Sequence, residues 1–386
     1  MNSYVVPILY GIIFFPIVAL FFTFPYMIYQ YRKYGSIPPV RVLIVYSFIL
    51  YLICAYFLVI LPLPSIEYVA SLKTPTYQLM PFNFINDFIK NTSFNISDAY
   101  TYLLILKEPI FYQAIYNTLL FLPFGVYLRY YFKCSFKKTI FYSFLLSLFF
   151  ELTQLTGLYF IYPRSYRLFD VDDLIINTFG GFVGFYFSSL ISKIFPSRDE
   201  IDNKAYLEGN TIPLFRRLFA FLLDYFVFFI FTFLCTGFIR SFINIKYSII
   251  YYICMILYYI VYPYMSNGYT IGKKFFKIKI VSLDEKLSID QIIVRYGLMY
   301  FLVFKIPSML LKYLNSNFLI KILKSKSEFI YLFTSIFLFL FVCYLIKRIH
   351  DIGEGKLLIY EKLSKTKNVN MIENNSKDEW ANIKWF

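Results

Sequence analysis

The sequence predicts an all-α polytopic membrane protein of about nine transmembrane helices in two bundles, with the N-terminus outside and the C-terminus cytoplasmic. Three observations predict it. Hydrophobic residues make up 59% of the 386 residues, charged residues only 16%, and the mean hydropathy is +0.60. A soluble domain carries about 25% charged residues, so this chain has too little charge to cover a surface in water. The apolar residues also fall in long runs of bilayer-crossing length. Finally, Lys and Arg are divided unequally between alternate loops, 26 against 11, and the richer set belongs in the cytoplasm.

The runs read as spans over approximately 4–29, 41–61, 109–131, 139–161, 172–195, 217–239, 247–265, 291–311 and 328–346. Backbone polar groups in hydrocarbon must be satisfied within each segment, so the spans are helices, and no barrel-like alternation is present. The first run begins near Met1 without a basic leader or a small-residue cleavage site, and reads as a retained span. Residues 1–40 therefore form an extra N-terminal helix ahead of a membrane module at 41–195. The polar stretch 196–211 reads as a cytoplasmic linker to a second module at 212–362, and 363–386 as a polar, disordered cytoplasmic tail. One loop opposes the charge count: Lys312, Lys321, Lys324 and Lys326 fall on the outer side. Either they lie on an interfacial amphipathic helix or a span near 291–311 is miscounted.

Several function classes drop out on composition. The net charge of +15 is spread between spans rather than gathered in one patch, which implies anionic lipid as partner and no nucleic acid. Five Cys without a CxxC spacing and a single His support neither a disulfide framework nor a metal site. No cofactor is implied.

Ionisable and amide side chains inside spans are costly, so they mark candidate functional positions. In the first module these are Asn117, Glu151, Gln154 and Asn177. Helical rise places Asn117 about 12 Å, Glu151 about 15 Å and Asn177 about 8 Å below the outer helix ends, close enough in level to share a pocket. Glu151 and Gln154 face one side of their helix. Arg167 is the nearest cation available to a buried Glu151, and a charge pair between them is expected. Asp170, Asp172 and Asp173 open the next span, where carboxylates cap free amides. Gly180, Gly181 and Gly184 suit close helix approach, and Pro123-Phe-Gly125 reads as a kink. In the second module, Arg216 and Arg217 read as ordinary cytoplasmic anchors. Asp224 sits about two turns inside the membrane and must pair, be protonated or face water. Residues 277–281 alternate as a strand does.

Two families are resembled by these residues. Asn117-Thr-Leu-Leu-Phe-Leu-Pro123-Phe-Gly125, Glu151-x-x-Gln154 and Arg167-Leu-Phe-Asp170-Val-Asp172-Asp173-x-x-x-Asn177, followed by Gly180-Gly181-x-x-Gly184, resemble the VanZ family over roughly 45–195. The resemblance implies a cell-envelope membrane protein linked to resistance against glycopeptides such as teicoplanin, with Asn117, Glu151, Gln154, Arg167, Asp170, Asp173 and Asn177 as site residues. Arg217 (or Arg216), Asp224 and Asp351, with Gly268, Gly272 and Lys273, resemble the RDD family over roughly 212–362. Gly355-Lys356-Leu357 departs from that family's terminal pattern. This second resemblance implies a membrane domain, proposed in some members to move ligands or ions.

Four functions are then weighed. The first is a non-enzymatic, multi-pass protein of the bacterial cytoplasmic membrane, whose outward polar pocket binds a lipid-linked envelope precursor or an amphiphilic antibiotic. The second is an ion or small-solute transporter using Asp224 and Glu151, although no inverted repeat is seen. The third is a hydrolase or transferase with Glu151 and Asp170 as acid and base, but no nucleophile, metal cluster or phosphate clamp accompanies them. The fourth is a structural role in pairing other envelope proteins.

Overall fold

The computed structural model describes residues 2–85, 109–284, 286–305 and 351–372, together with positions 308, 336, 339, 347 and 350. It separates into two compact units, Met1–Thr23 with Pro39–Ile201, and Phe24–Pro38 with Asp202–Phe386. Among the described residues, five helices are long and apolar enough to cross a membrane: Val5–Lys33, Pro39–Ile60, Val171–Ile194, Leu214–Phe242 and Tyr247–Met265. The expected ninth span and the Lys312–Lys326 cluster lie outside the described residues. The expected eighth begins as a helix over Ile289–Tyr300 that continues in a wider turn through Phe301–Lys305.

The first unit is built on α1 (Asn2–Lys33) and α2 (Pro39–Ile60), the short α3 (Ile66–Ser71), and then α4 (Pro109–Tyr130), α5 (Phe136–Leu155) and α6 (Val171–Ile194). Of these, α4 and α5 are 22 and 20 residues long, sufficient to span; their amides, acids and lysines make them less apolar than the five. The span expected at 139–161 ends earlier, at Leu155. Gly157, Leu158, Tyr159 and Phe160 all take positive φ, so the helix cannot continue, and the chain folds back toward α6.

Glycines bring α4, α5 and α6 together. A Cβ at Gly180 would meet the Thr118 carbonyl, one at Gly184 the Leu122 carbonyl, and one at Gly181 the Ser143 hydroxyl. Gly125, within the stretch expected to kink, faces the backbone of Gly181. Without side chains between them the two backbones approach closely, as small residues allow in membrane bundles. Above them, a two-residue parallel pairing of β1 (Tyr77–Gln78) with β2 (Phe169–Asp170) ties two loops together. Ile60, Val69, Leu158, Tyr162 and Tyr166 form the apolar core beneath those loops.

The second unit takes the end of α1 and most of α7 (Arg198–Gly209), followed by α8 (Leu214–Phe242) and α9 (Tyr247–Ile256), which widens through Leu257–Val261 before Tyr262–Met265. Pro263 lacks the N–H that would complete a regular turn here. Next come α10 (Ile271–Phe275), β3 (Ile278–Ser282), α11 (Ile289–Tyr300), α12 (Ile359–Leu363) and β4 (Thr366–Asn370). The stretch expected as a linker is thus largely the helix α7, the division between units falling within it. The tail is not disordered from its start, since β4 pairs antiparallel with β3, Ile278 opposite Asn370 and Ser282 opposite Thr366. The described residues are mostly helical, as expected, with two small two-stranded sheets among them. The alternation over 277–281 does form a strand, with Ile278 and Ile280 buried and Lys277 and Lys279 turned to the other face.

The glycine contacts give a direct test. Gly184→Ala should lower the stability of the detergent-solubilised chain by about 1–3 kcal/mol through overpacking, read as a drop in thermal unfolding temperature. Gly237→Ala is the control, because nothing lies within 4 Å of its added Cβ. Equal unfolding temperatures for the two variants would remove the close approach of α4 and α6.

Candidate functional site: a polar cavity in the first unit

Asn117 on α4, Glu151 and Gln154 on α5, Arg167 and Asp170 ahead of α6, and Asp173 and Asn177 at its start all line one cavity of about 1190 Å³. The α4–α6 approach makes this possible, because it sets Asn117 against the first turn of α6. There Asn117 Nδ2 donates to Asp173 Oδ1 at 2.8 Å. Asp170 caps α6 by accepting from the Asp172 amide at 2.8 Å. Asp172 turns away, accepting from the Phe82 and Phe84 amides at 2.6 and 2.8 Å, and so anchors the preceding loop rather than its own helix. Asn177 Nδ2 donates to Ser147 Oγ at 2.9 Å, while its Oδ1 is buried with no hydrogen-bond partner.

The expected Glu151–Arg167 ion pair is not formed. Glu151 Oε2 accepts from the Asp170 amide at 3.1 Å. Arg167 donates instead to the Val59 and Leu61 carbonyls at 2.6 and 2.9 Å, and Gln154 adds a bond to Val59 O at 3.0 Å. The reason lies in the end of α2. Val59 and Leu61 lie in and just past its last turn, where carbonyls have no intrahelical donor, and a guanidinium fork supplies two in parallel. Glu151 and Arg167 share the cavity wall without touching.

In the second unit the residues are packed for holding. Asp224, 2% exposed, accepts from Tyr258 Oη at 2.9 Å and the Gly272 amide at 2.7 Å on Oδ1, and from Thr270 Oγ1 at 2.6 Å on Oδ2. Gly272 is required: a Cβ there would strike the Ala220 carbonyl and the Asp224 carboxylate. Lys273 Nζ donates to Tyr296 Oη at 3.0 Å. Loss of water about that ammonium pushes its pKa down to about 8, although Asp224 pulls the other way. Asp351 is also buried.

Arg216 and Arg217 are not simple anchors at a membrane surface. Arg216 is fully buried and donates to the carbonyls of Gly209 at 3.1 Å, Phe276 at 2.8 and 3.0 Å and Lys277 at 3.0 Å, and to Asn370 Oδ1 at 2.8 Å. Arg217 meets Glu361 at 3.1 Å, and Arg295 reaches the same carboxylate oxygen at 3.4 Å. Sequence reasoning missed Glu361, Arg295, Thr270 and Tyr258. Glu361 sits in a short amphiphilic stretch after the last expected span and looks like any polar residue there. Tyr258 is one tyrosine among 39. Arg295 alone carried a signal, an arginine set well into an apolar helix.

The dense packing of charge in this second cluster predicts its cost. Glu361→Gln should destabilise the protein by about 3–5 kcal/mol, because two buried guanidiniums lose their counter-charge. Asp199→Asn, which breaks an exposed pair with Lys133, should cost about 0–1 kcal/mol. Comparable losses in denaturant unfolding of the two variants would mean that the Glu361 cluster carries no special weight.

Among the described residues no group of three or more His, Cys, Asp or Glu is placed to hold a metal ion. No curated protein and no solved structure matches the chain. The VanZ/LLP1 family model matches residues 48–192, and the RDD family model matches residues 211–353. The first match contains every residue named above in the cavity from Val59 to Asn177. The second contains Arg216, Asp224, Gly272, Lys273 and Asp351. The chain therefore joins a VanZ-like region to an RDD-family region, in that order.

Proposed function

We propose that this is a multi-pass protein of the bacterial cytoplasmic membrane whose first unit binds an amphiphilic or lipid-linked ligand. Through that binding it contributes to protection against teicoplanin-type glycopeptides. The observation that carries the reading is the cavity of the first unit, about 1190 Å³ in volume. That is ample for a headgroup with part of an acyl chain, since sites for small ligands span about 300–1,000 Å³. Its wall is mixed. Ile8, Leu58, Leu119 and Pro123 are apolar, while Glu151, Asp173 and Asn177 are polar, the lining that an amphiphile requires. The resemblance to VanZ supplies the antibiotic class.

The proposal includes nine spans, an outer N-terminus and a cavity open to the outer leaflet, on the strength of the loop charges. Transport through Glu151 and Asp224 has less to rest on, because both oxygens of Asp224 are already engaged by three donors. A moving cation or proton would have to displace them.

Orientation is checked with single cysteines in a chain whose native cysteines are replaced. Ser71→Cys should react with an impermeant maleimide in intact cells and Lys286→Cys only after lysis. The reverse pattern would invert the topology and close the cavity to outside ligands. Function is checked by teicoplanin susceptibility in a deletion strain. The wild-type chain should restore protection, and Glu151→Gln, expressed to the same level in the membrane, should lose most of it. Full protection by Glu151→Gln, or by the second unit alone, would remove the cavity from the phenotype.

A further inference from the structure

Resting on the reading of the cavity as a ligand site, we propose that it selects an amphiphile whose headgroup is a cationic amine, and rejects one headed by phosphate. Two independent features of the wall lead there. The first is charge. Among the described residues, Glu151, Asp170 and Asp173 face the cavity against one cation, Arg167, and two of that guanidinium's nitrogens already serve the Val59 and Leu61 carbonyls. An anionic headgroup would enter a site with three carboxyls and a guanidinium already engaged, which offers it few free donors.

The second feature is the kind of vacancy left in the hydrogen bonding. Asn177 is 5% exposed and Glu151 3%. The Asn177 amide nitrogen is used by Ser147, and its Oδ1 is buried without a partner. Glu151 Oε2 accepts the Asp170 amide, whereas Oε1 makes no hydrogen bond with any described residue. The open valences are therefore acceptors, and buried acceptors call for a donor. An ammonium brings three donors and a positive charge in one compact group, whereas a phosphate brings acceptors alone. The alkyl part of such a molecule would lie along Ile8, Leu58 and Leu119. The shared chemistry fits two sources, a membrane aminolipid or the amine of an amphiphilic antibiotic.

The test uses the full chain in phosphatidylcholine nanodiscs at neutral pH, with three photoreactive probes of one dodecyl chain. Their heads are a primary ammonium, a phosphate and maltose. Cavity labelling is located by mass spectrometry and titrated. The ammonium probe should half-saturate at a concentration at least tenfold below the other two. Glu151→Gln should raise that concentration about tenfold for the ammonium probe and leave the maltoside probe unchanged. Leu119→Trp, which fills the apolar wall and touches no carboxylate, should weaken all three probes, and keeps the test informative if Glu151→Gln does not fold. Tighter labelling by the phosphate or the maltoside overturns the amine selection while leaving the cavity as an amphiphile site. No saturable cavity labelling by any probe overturns both readings. Competition by an aminoacylated phosphatidylglycerol or by teicoplanin against the ammonium probe then distinguishes the two sources. Failure of both competitors overturns the amine proposal as a statement about these ligands.

Discussion

Charged side chains in this protein are answered by helix ends. A helix leaves amides free at its start and carbonyls free at its finish, and in an apolar surrounding neither can be left to water. Two arginines, Arg167 and Arg216, take finishing carbonyls. Arg167 closes α2 at Val59 and Leu61, and Arg216 gathers Gly209 at the end of α7 with Phe276 just past α10. The acids take the starting amides: Asp170 at α6, Asp224 at Gly272 in α10, and Glu361 at Leu358 ahead of α12. Each contact also follows the sign of the helix dipole. One pairing rule thus fixes loop geometry in both units, and the apolar packing is arranged around it.

Packing decides which polar groups can meet. In the first unit the glycines of α4 and α6 remove the side chains that would hold the helices apart, so that the short Asn117 amide can reach Asp173. A wider spacing would leave both groups in hydrocarbon without partners, at a cost that neither could recover from water. The small residues and the polar ones are therefore a single device: the former set the distance at which the latter are satisfied. In the second unit Gly272 does the same beside Asp224, where the carboxylate stands in the space a side chain would need.

Much of this was readable in the sequence, and the failures have a common cause. The five long apolar helices followed from run length, and Asn117, Glu151, Gln154 and Asn177 from the rarity of amides and ions inside spans, because both are consequences of solvent transfer along one chain. The strand at 278–282 followed from alternation. What could not be read was partner choice. Charge alone matches Arg167 to Glu151, although the open carbonyls at the end of α2 offer it a better-shaped acceptor. Arg216 and Arg217 read as surface anchors, because most of their acceptors come from residues 60 to 154 positions away. β4 escaped notice since its partner strand is as distant, and a polar five-residue stretch has no period of its own to reveal it.

Two buried carboxylates of the second unit are more completely hydrogen-bonded than the polar groups around the cavity of the first. Asp224 receives three donors and Glu361 answers two guanidiniums and two further donors. Groups so saturated resist change, and binding there would first require breaking what exists. Around the cavity, Glu151 has a single bond and Asn177 an empty acceptor. An apolar protein keeps such groups only where something else completes them, whether ordered water or a ligand. Water would serve in the resting state, and a ligand with well-placed donors gains by displacing it. Both families contribute buried charge to this chain. In the RDD-like region Asp224 and Glu361 are engaged on every side, whereas in the VanZ-like region Glu151 keeps a single hydrogen bond.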